Sequence, residues 1–434
     1  MRFTRLLGSL LLASSAAQAA DTLESAKLVG PGEAAGLFGR AVAISGETIL
    51  VGAPFDSGGD TFSGSAYIFR FDGSQWAAET EFDVAEAGDA FGFAVALAGE
   101  RAAVGAPTHV EAETASGALY IFDFDGQGWI QQPILTANDA GEGDKLGSAL
   151  ALDGSRALVG SPFDDDQGND AGAAYVFQFD GNAWSQQAKL TASDGSPDEN
   201  FGGTSVALDG DTAIVGAPLH DSDATDAGAA YVFRFDGEAW NQEAKLTAAD
   251  AAAGDNFGFS VSVIGNIAIV GAPFHDAGAD DAGAAYAFRF DGESWVQQVK
   301  LTAPDAVADD NFGVSVDYDS HREFAVVGAP HTTNVGSAYV FLSGSWDLLE
   351  TLVASDGIAG DDFGSAIAFT GGTTVVGAPF GEPAGSAYVF GLPEPSAQTL
   401  LLAAVTALAG LARRRQRTAR MARIRSSRKE KATT

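Results

Sequence analysis

The sequence predicts an all-β fold: a seven-bladed β-propeller with four antiparallel strands in each blade. The tetrapeptide VGAP, or its variant VGSP, occurs seven times, at residues 51–54, 104–107, 159–162, 215–218, 270–273, 327–330 and 376–379. The steps between copies are 49 to 57 residues, so one supersecondary unit is repeated along the chain. Each unit contains four short runs rich in Val, Ile, Phe and Tyr, separated by Gly, Asp, Asn and Pro, which is typical of a propeller blade.

The fifth unit shows the four predicted strands in order. They are FGFSVSVIG from Phe257, AIVGAP from Ala268, GAAYAFRF from Gly283, and the run led by Trp295. Two of the gaps between such runs are predicted hairpin turns, as in LDGDT from Leu208 and RFDGEAW from Arg234, because Asp-Gly accepts the positive φ that a tight turn requires. The other two gaps are longer and vary between units.

A count of the runs predicts how the ring closes. There are seven FG runs (with Leu146-Gly147 in one of them), seven VGAP runs and seven YxF runs, but six runs led by Trp. The missing run would follow Tyr388, whereas the segment 25–28 precedes the first FG and its AKL matches the AKL at 188–190. We predict that this N-terminal strand completes the seventh blade and pairs a sheet edge that would otherwise be exposed.

The order FG, VGAP, GAAYVF resembles the FG-GAP repeat of integrin α subunits and of many bacterial surface proteins, over roughly residues 23–391. The resemblance implies an integrin α-like propeller and a cell-surface or adhesion role. Integrin-type repeats carry a calcium loop of the form DxDxDG before VGAP. Here that position is a short turn such as SGET, AGER, DGSR, DGDT or IGNI, too short to supply the oxygen ligands that calcium needs. The sixth unit is longer there, with Asp317, Asp319 and His321, and is a partial match.

The first 20 residues are predicted to be a signal peptide. Arg2 and Arg5 precede an apolar run at 6–13, and Ala17-Gln18-Ala19 forms a small-residue cleavage site. This pattern predicts export. Residues 21–391 are then the propeller.

Residues 392–417 are similar to the PEP-CTERM sorting signal of Gram-negative bacteria. Pro393, Glu394 and Pro395 precede an apolar run at 400–412 and three arginines, and a basic tail follows at 418–434. The resemblance implies processing by an exosortase-type enzyme, transient membrane association, and a final location on the outer surface or in the extracellular matrix. The alternative is a plain C-terminal membrane anchor with its basic side in the cytoplasm, although the apolar run is short for a span.

The charge of the predicted mature body excludes two classes of partner. Between the two terminal segments, 12 basic and 56 acidic residues remain, for a net charge near −44. Nucleic acid and anionic membranes are bound by clustered Lys and Arg, so neither is expected as a partner. The chain has no cysteine, which excludes disulfides and a thiol nucleophile.

The acidic residues concentrate in the two long gaps, which consecutive antiparallel strands would place on one face of the disc. Carboxylate oxygens that converge in flexible loops suit calcium, so these residues are candidate ligands for a divalent cation. They are Asp164, Asp166 and Asp170 in one loop, Asp221, Asp223 and Asp226 in the next, and the pairs before FG, Asp194 and Asp198, Asp250 and Asp255, Asp305 and Asp310, and Asp356 and Asp361.

Alternatively, these aspartates are turn formers and their charge keeps an exported protein soluble. In the loops themselves, Lys145 is the one lysine that offsets them.

Other residue types admit two interpretations each. His109, His220, His275 and His331 follow the GAP prolines and are either metal ligands or solvated loop residues. The six tryptophans, from Trp76 to Trp346, form either a sugar-binding rim or packing between blades. No GxSxG, HExxH or P-loop motif is present, so catalysis has little support. The irregular sixth unit, with Asp317, His321, Arg322 and Glu323, is the candidate if there is an active site.

Two functions from different classes follow. The first is a non-catalytic exported or cell-surface scaffold that binds extracellular polysaccharide or a surface protein, with or without calcium. The second is an exported hydrolase or lyase that uses the face of the propeller. A deep central pocket with unrepeated polar residues would favour the enzyme, and a symmetric acidic rim would favour binding.

Overall fold

The computed structural model describes residues 23–30, 36–56, 62–84, 86–111, 114–222, 224–330, 335–382 and 384–392. The predicted signal peptide, Asp223, His331, the sorting residues Pro393, Glu394 and Pro395, and the basic tail lie outside these ranges. Within them, every regular element is a β-strand, and none is a helix that could cross a membrane.

Seven antiparallel sheets of four strands form the propeller, which confirms the predicted fold. Blade one contains β2 (Ala41–Ser45), β3 (Thr48–Ala53), β4 (Ser65–Phe71) and β5 (Trp76–Phe82). Blade two contains β6 (Ala94–Ala98), β7 (Arg101–Ala106), β10 (Ala118–Phe124) and β11 (Trp129–Gln131), with a small hairpin of β8 (Val110–Glu111) and β9 (Thr114–Ala115) inserted after β7. Blade three contains β12 (Leu150–Asp153), β13 (Arg156–Ser161), β14 (Ala173–Phe179) and β15 (Trp184–Leu190).

The remaining blades repeat the same order. Blade four contains β16 (Val206–Asp209), β17 (Thr212–Ala217), β18 (Ala229–Phe235) and β19 (Trp240–Leu246). Blade five contains β20 (Ser260–Ile264), β21 (Ile267–Ala272), β22 (Ala284–Phe290) and β23 (Trp295–Leu301). Blade six contains β24 (Ser315–Asp319), β25 (Phe324–Ala329), β26 (Ser337–Leu342) and β27 (Asp347–Leu352). Blade seven contains β28 (Ala366–Thr370), β29 (Thr373–Ala378), β30 (Ser386–Gly391) and, from the other end of the chain, β1 (Glu24–Leu28).

The ring closes as predicted, because β1 supplies the outer strand of blade seven. It pairs with β30 in antiparallel register, with Lys27 opposite Tyr388 and Leu28 opposite Ala387. A parallel bridge between Phe38 and Gly385 then joins blade one to blade seven. Both ends of the propeller are therefore held in the same sheet.

The hydrophobic core lies between blades. The cluster between blades four and five is representative: Ile214 and Val232 from one blade contact Val270 and Tyr286 from the next, all fully buried. Phe257, the phenylalanine of FG, is also fully buried, and its ring packs edge-on against Tyr286 with 5.5 Å between centroids. Each FG segment thus fills the seam between two blades, and repeating the seam seven times accounts for the buried apolar side chains of the repeat.

The tryptophans pack between blades, as one of the two interpretations expected. Trp295 lies against the core cluster between blades four and five, and its indole N–H donates to Glu243 of the neighbouring blade at 3.0 Å. Trp240 makes the equivalent bond to Gln187 at 3.0 Å. These side chains link the outer strands of adjacent blades.

At each junction, two glycines bring the backbones of adjacent blades into close contact. Gly216 belongs to VGAP in blade four and Gly258 to FG in blade five. A Cβ atom on Gly216 would lie 1.9 Å from the carbonyl oxygen of Gly258, so no larger side chain fits. Gly258 has a φ of 97°, a left-handed conformation that favours glycine. The same pair of positions recurs at every blade junction, which explains why the repeat is marked by FG and VGAP.

Consecutive antiparallel strands give the disc two different faces. Short turns join the first strand to the second and the third to the fourth on one face, called the turn face. The long connections, such as 218–228 and 247–259, emerge on the opposite face, called the loop face. The predicted segregation of the long acidic gaps onto one face is therefore observed.

We expect Gly216→Ala to lower the free energy of unfolding by about 3 kcal/mol, because the added methyl group would force two blades apart. Gly344→Ala is the matched control, since an added Cβ there meets nothing within 4 Å; it should change the free energy by less than about 0.5 kcal/mol. Urea unfolding followed by tryptophan fluorescence measures both. Equal effects of the two substitutions would contradict the assigned contact between blades.

Candidate functional site: the loop face and the central channel

A hydrogen-bonded group of Tyr, Asp and Lys recurs on the loop face. In blade five, Tyr286 on β22 lies opposite Lys300 on β23. Asp250, from the connection that enters the blade, accepts the Tyr286 hydroxyl at 2.9 Å and the Lys300 ammonium at 3.0 Å. The tyrosine ring is fixed by the core, so its hydroxyl positions the aspartate at the edge of the seam.

Three other blades repeat the bond from tyrosine to an aspartate of the entering connection. Asp194 accepts Tyr231 at 2.8 Å and Lys245 at 2.9 Å, and Asp356 accepts Tyr388 and Lys27, both at 2.8 Å. Asp305 accepts Tyr339 at 2.8 Å, but Thr351 occupies the position of the lysine.

In blade three the tyrosine acceptor comes from the connection after VGSP. Asp164 accepts the Tyr175 hydroxyl at 2.7 Å and lies 2.7 Å from the Lys189 ammonium. Five of the predicted cation ligands are therefore tyrosine acceptors, and four of them already carry an ammonium partner.

The charges in this group stabilise one another. Desolvation opposes the charged form of Asp250, but the hydrogen bonds from Lys300 and Tyr286 outweigh it and lower the pKa of the carboxyl. The pKa of Asp194 is lowered in the same way by Lys245 and Tyr231, against desolvation. Burial, followed by the hydrogen bond to Asp250, raises the pKa of the Tyr286 hydroxyl, which therefore stays protonated and donates.

One group of carboxylates is close enough to share a metal ion among the residues that the structure describes. It consists of Asp139, Asp164 and Asp166 in blade three, called the carboxylate triad. The Lys189 ammonium lies among all three, at 2.9, 2.7 and 2.6 Å respectively. Desolvation disfavours charged Lys189, but these three hydrogen bonds outweigh it and raise its pKa. A metal ion at the triad would have to displace Lys189.

A second set of predicted ligands holds the loop backbone. Asp255, Asp310 and Asp361 are buried, and each accepts the backbone N–H of the residue three positions earlier, at 2.7 to 2.8 Å. Asp221 also accepts a backbone N–H, that of Asp226 five positions later, at 2.9 Å. Asp170, Asp198 and Asp226 have φ values of 52°, 66° and 52°, which Asp tolerates better than most residues. The structure does not bring these residues together as a ligand set.

The interpretation of the histidines as solvated loop residues is wrong for the three that the structure describes. His109, His220 and His275 are buried. The Nδ1 atom of His220 contacts Glu199 at 2.5 Å and that of His275 contacts Asp255 at 2.8 Å, while Nε2 of each ring faces the lysine of its blade. In blades one and three the equivalent positions are Asp56 and Asp164, and in blade one Glu81 replaces the lysine. The described histidines are therefore part of the internal networks of blades two, four and five.

The lysines were not among the predicted site residues, because they lie outside the acidic loops. Lys189, Lys245 and Lys300 lie on outer strands and reach loop aspartates about 50 residues away in sequence. The recurrence of Lys before the last Leu of the Trp-led run was the available signal.

In the irregular sixth unit, the two carboxylates accept hydrogen bonds from the backbone. Asp317 accepts the backbone N–H of Phe369 at 2.7 Å and of Tyr318 at 2.8 Å, as well as the Ser262 hydroxyl at 3.1 Å, and so connects three blades. Asp319 accepts the N–H groups of His321 at 2.6 Å and Gly371 at 2.7 Å. These carboxylates hold backbone groups of the inner and turn-face segments.

A central channel opens on the loop face. Its cavity of about 590 Å³ is lined by all seven inner strands, including the residue after each FG: Arg40, Phe93, Ser148, Gly203, Phe259, Val314 and Ser365. On the loop face, the apolar residues that directly follow the GAP proline in five blades are called the apolar ring: Phe55, Phe163, Leu219, Phe274 and Phe380. Phe380 lines the cavity, and Phe274 packs edge-on against Phe259 of the lining.

Three members of the apolar ring are exposed although they are large, and the other two are half-buried. Phe380 is 55% exposed, Phe55 39% and Leu219 37%. In blades one, three and seven the backbone N–H of the ring residue donates to a carbonyl in the segment that enters the inner strand of its own blade, at 3.2 to 3.3 Å, so the placement is repeated. This ring was not singled out from the sequence, although an apolar residue after the proline recurs.

Comparison with known families identifies the repeat. The FG-GAP repeat matches at residues 23–69, 83–122, 129–177, 184–233, 240–288, 295–341 and 346–390. The chain belongs to the FG-GAP repeat family. Six of the seven matched segments begin with an outer strand, the exception being 83–122, and the segments end within a YxF strand. Each repeat is therefore offset by one strand from a blade, and this offset requires the closure made by β1. A comparison with curated proteins found no match.

Solved structures support the fold of this FG-GAP protein. A chain in the crystal structure of a mitotic checkpoint complex is 14% identical, with a TM-score of 0.54, over 90% of this chain and 99% of that chain. At this identity the similarity concerns the fold alone.

We expect calcium to leave the melting temperature of the wild-type protein unchanged at constant ionic strength, because Lys189 occupies the carboxylate triad. Lys189→Met should lower stability by about 2 kcal/mol in chelator, since three carboxylates lose their counter-ion. Calcium should then restore part of that loss. Lys245→Met is the control and should show no calcium response. A calcium response in the wild type that equals that of Lys189→Met would contradict the assignment.

We expect stability to be highest in mildly acidic solution. The hydrogen bond to Asp89 raises the pKa of His109, so its stabilisation is complete below a pH of about 6.5 and is lost as the pH rises through the folded pKa. Burial raises the pKa of Asp317 to about 6, so its ionisation costs stability as the pH rises from about 4 to about 6. The lowered pKa of Asp250 gives stabilisation that is present above a pH of about 4 and is lost as the pH falls through its folded value.

Thermal unfolding across this pH range is the measurement. The melting temperature should be higher near pH 5.5 than near pH 7.5, and should fall below about pH 4. His109→Gln should reduce the difference between the first two values. A melting temperature that rises steadily from acidic to alkaline pH would contradict these shifts.

Proposed function

We propose that the protein is a non-catalytic exported or cell-surface scaffold whose loop face binds a macromolecular partner, either matrix polysaccharide or another surface protein. The recurrence of an apolar residue after the GAP proline in five blades, exposed at Phe55, Leu219 and Phe380, is the observation that carries this proposal. Exposed apolar side chains with a polar surround are typical of interaction sites. Aromatic rings can stack on sugar rings or receive apolar side chains of a protein.

The state of the carboxylates supports the same proposal. Asp194, Asp250 and Asp356 are bound by lysines, and the buried aspartates hold the loop backbone. Their oxygens are therefore engaged within the protein, whereas the side chains of the apolar ring project from it. The remaining negative charge of the face would repel acidic partners and favour neutral or basic ones.

The composition of the channel lining supports a non-catalytic role over a hydrolase or lyase. Its residues come mainly from equivalent positions of the seven inner strands, and within the described lining the charged side chains are Arg40 and Asp362. The described lining therefore offers one carboxylate and no histidine, so it lacks the paired carboxyl groups of a glycosidase and the base of a Ser-His pair. A metal ion at the carboxylate triad is not part of this proposal, since it would require Lys189 to move.

We include export, cell-surface location and C-terminal sorting in this proposal on the basis of the sequence. The signal-peptide pattern and the sorting residues Pro393, Glu394 and Pro395 support them.

The test is a binding screen of the full chain against immobilised polysaccharides and surface proteins, with and without chelator. Phe55→Ser, Leu219→Ser and Phe380→Ser combined should reduce binding at least about tenfold, because hydrophobic anchors at the centre of an interface carry most of its energy. The control combines Ile130→Ser, Val296→Ser and Leu348→Ser, which alter equally exposed residues on outer strands. Equal loss in both variants, or turnover of a bound polysaccharide, would contradict the proposal.

A further inference from the structure

Arg40 breaks the sevenfold pattern of the central channel. It is the residue after FG in blade one, where the other blades have Phe93, Ser148, Gly203, Phe259, Val314 and Ser365. The side chain lines the cavity and is exposed to it. A charged side chain at a position that is otherwise apolar, small or hydroxylic has no role in the repeated packing of the propeller.

The contacts of Arg40 differ from those of the other stacked arginines. Its guanidinium lies over the ring of Phe93, 5.0 Å from the centroid. Arg70, Arg101, Arg156 and Arg234 also stack on aromatic rings, but each of them additionally binds a carboxylate. Within the described part of the chain, the Arg40 guanidinium has no such acceptor. Stacked on Phe93, the guanidinium keeps its N–H groups available to a ligand.

The cavity beside Arg40 suits a small apolar group. Val42, Val95, Val206 and Ile367 supply apolar wall, and a volume of about 590 Å³ accommodates a small molecule. Ser148 and Thr204 add hydroxyl groups.

The electrostatics select one negative charge and disfavour a second. Desolvation by the surrounding protein lowers the pKa of Arg40, and an anion bound beside the guanidinium would favour its charged form. A carboxylate matches the planar guanidinium edge and receives two charge-assisted hydrogen bonds. Asp362 also lines the mouth, and the loop face around it is acidic, so an anion with several charges would be repelled.

We propose that Arg40 makes the mouth of the central channel a binding site for a single carboxylate carried on an apolar group. Two sources have this chemistry: a free aromatic or branched aliphatic monocarboxylic acid, and the C-terminal apolar residue of a polypeptide. The site is distinct from the scaffold function proposed above, since it depends on Arg40, although Phe380 belongs to both the cavity lining and the apolar ring.

Isothermal titration calorimetry of the full chain with benzoate, benzamide and phthalate tests the charge requirement. Benzoate should bind, and benzamide and phthalate should bind at least about tenfold more weakly, since one lacks the charge and the other adds a second. Benzoate binding no tighter than benzamide binding would overturn the proposal.

Arg40→Gln tests the residue, with folding checked by thermal unfolding. It should weaken benzoate binding at least about tenfold, and Arg40→Lys should restore part of the loss because it keeps the charge without the planar edge. Arg70→Gln is the matched control, because Arg70 stacks on Phe124 but is paired with Glu79, and it should leave benzoate binding unchanged. Unchanged benzoate affinity in both Arg40 variants would overturn the proposal.

The tripeptide Gly-Gly-Phe as free acid and as amide distinguishes the two sources. Binding of the acid, with loss in the amide and in Arg40→Gln, indicates that a polypeptide C-terminus reaches the site. Binding of benzoate without binding of the acid tripeptide indicates a free organic acid. Because Arg40→Gln leaves the ring residues unchanged, matrix or surface-protein binding that persists in Arg40→Gln while benzoate binding is lost separates this site from the scaffold function.

Discussion

Adjacent blades meet through a backbone contact in which the VGAP glycine of one blade lies against the FG carbonyl of the next. The contact leaves no space for a Cβ atom at Gly216, and its recurrence around the ring sets the distance between all neighbouring sheets. That distance determines how the FG phenylalanine and the YxF tyrosine pack in the seam, as Phe257 and Tyr286 do. The position of every loop-face side chain therefore depends on this glycine pair.

The tyrosine connects the packed seam with the charged loops. Its ring is buried with the FG phenylalanine, and its hydroxyl emerges where the entering loop presents an aspartate, as with Tyr286 and Asp250. A lysine on the outer strand completes the group, so the acidic loops are partly neutralised from within the blade. These bonds hold the loops of the loop face to the blades, and Arg40 and the exposed members of the apolar ring are available to a ligand.

The fold could be predicted in detail because its determinants are local and repeated. FG, VGAP and the Asp-Gly turns fix the strand order, and the match between 25–28 and 188–190 fixes the closure. The site was harder to predict because its contacts are distant in sequence: Lys300 reaches Asp250 across 50 residues, and only the fold shows that they meet. The burial of His220 depends likewise on Tyr231 and Glu199, which approach it in space.

We infer that the carboxylates of the loop face are engaged by lysines and backbone groups within the protein rather than by cations. A high-resolution crystal structure of the protein grown at millimolar calcium is the decisive measurement. We expect it to show the Lys189 ammonium among Asp139, Asp164 and Asp166, with no ion between them. Density for a calcium ion coordinated by the three carboxylates, with Lys189 turned away, would show that cations engage them instead.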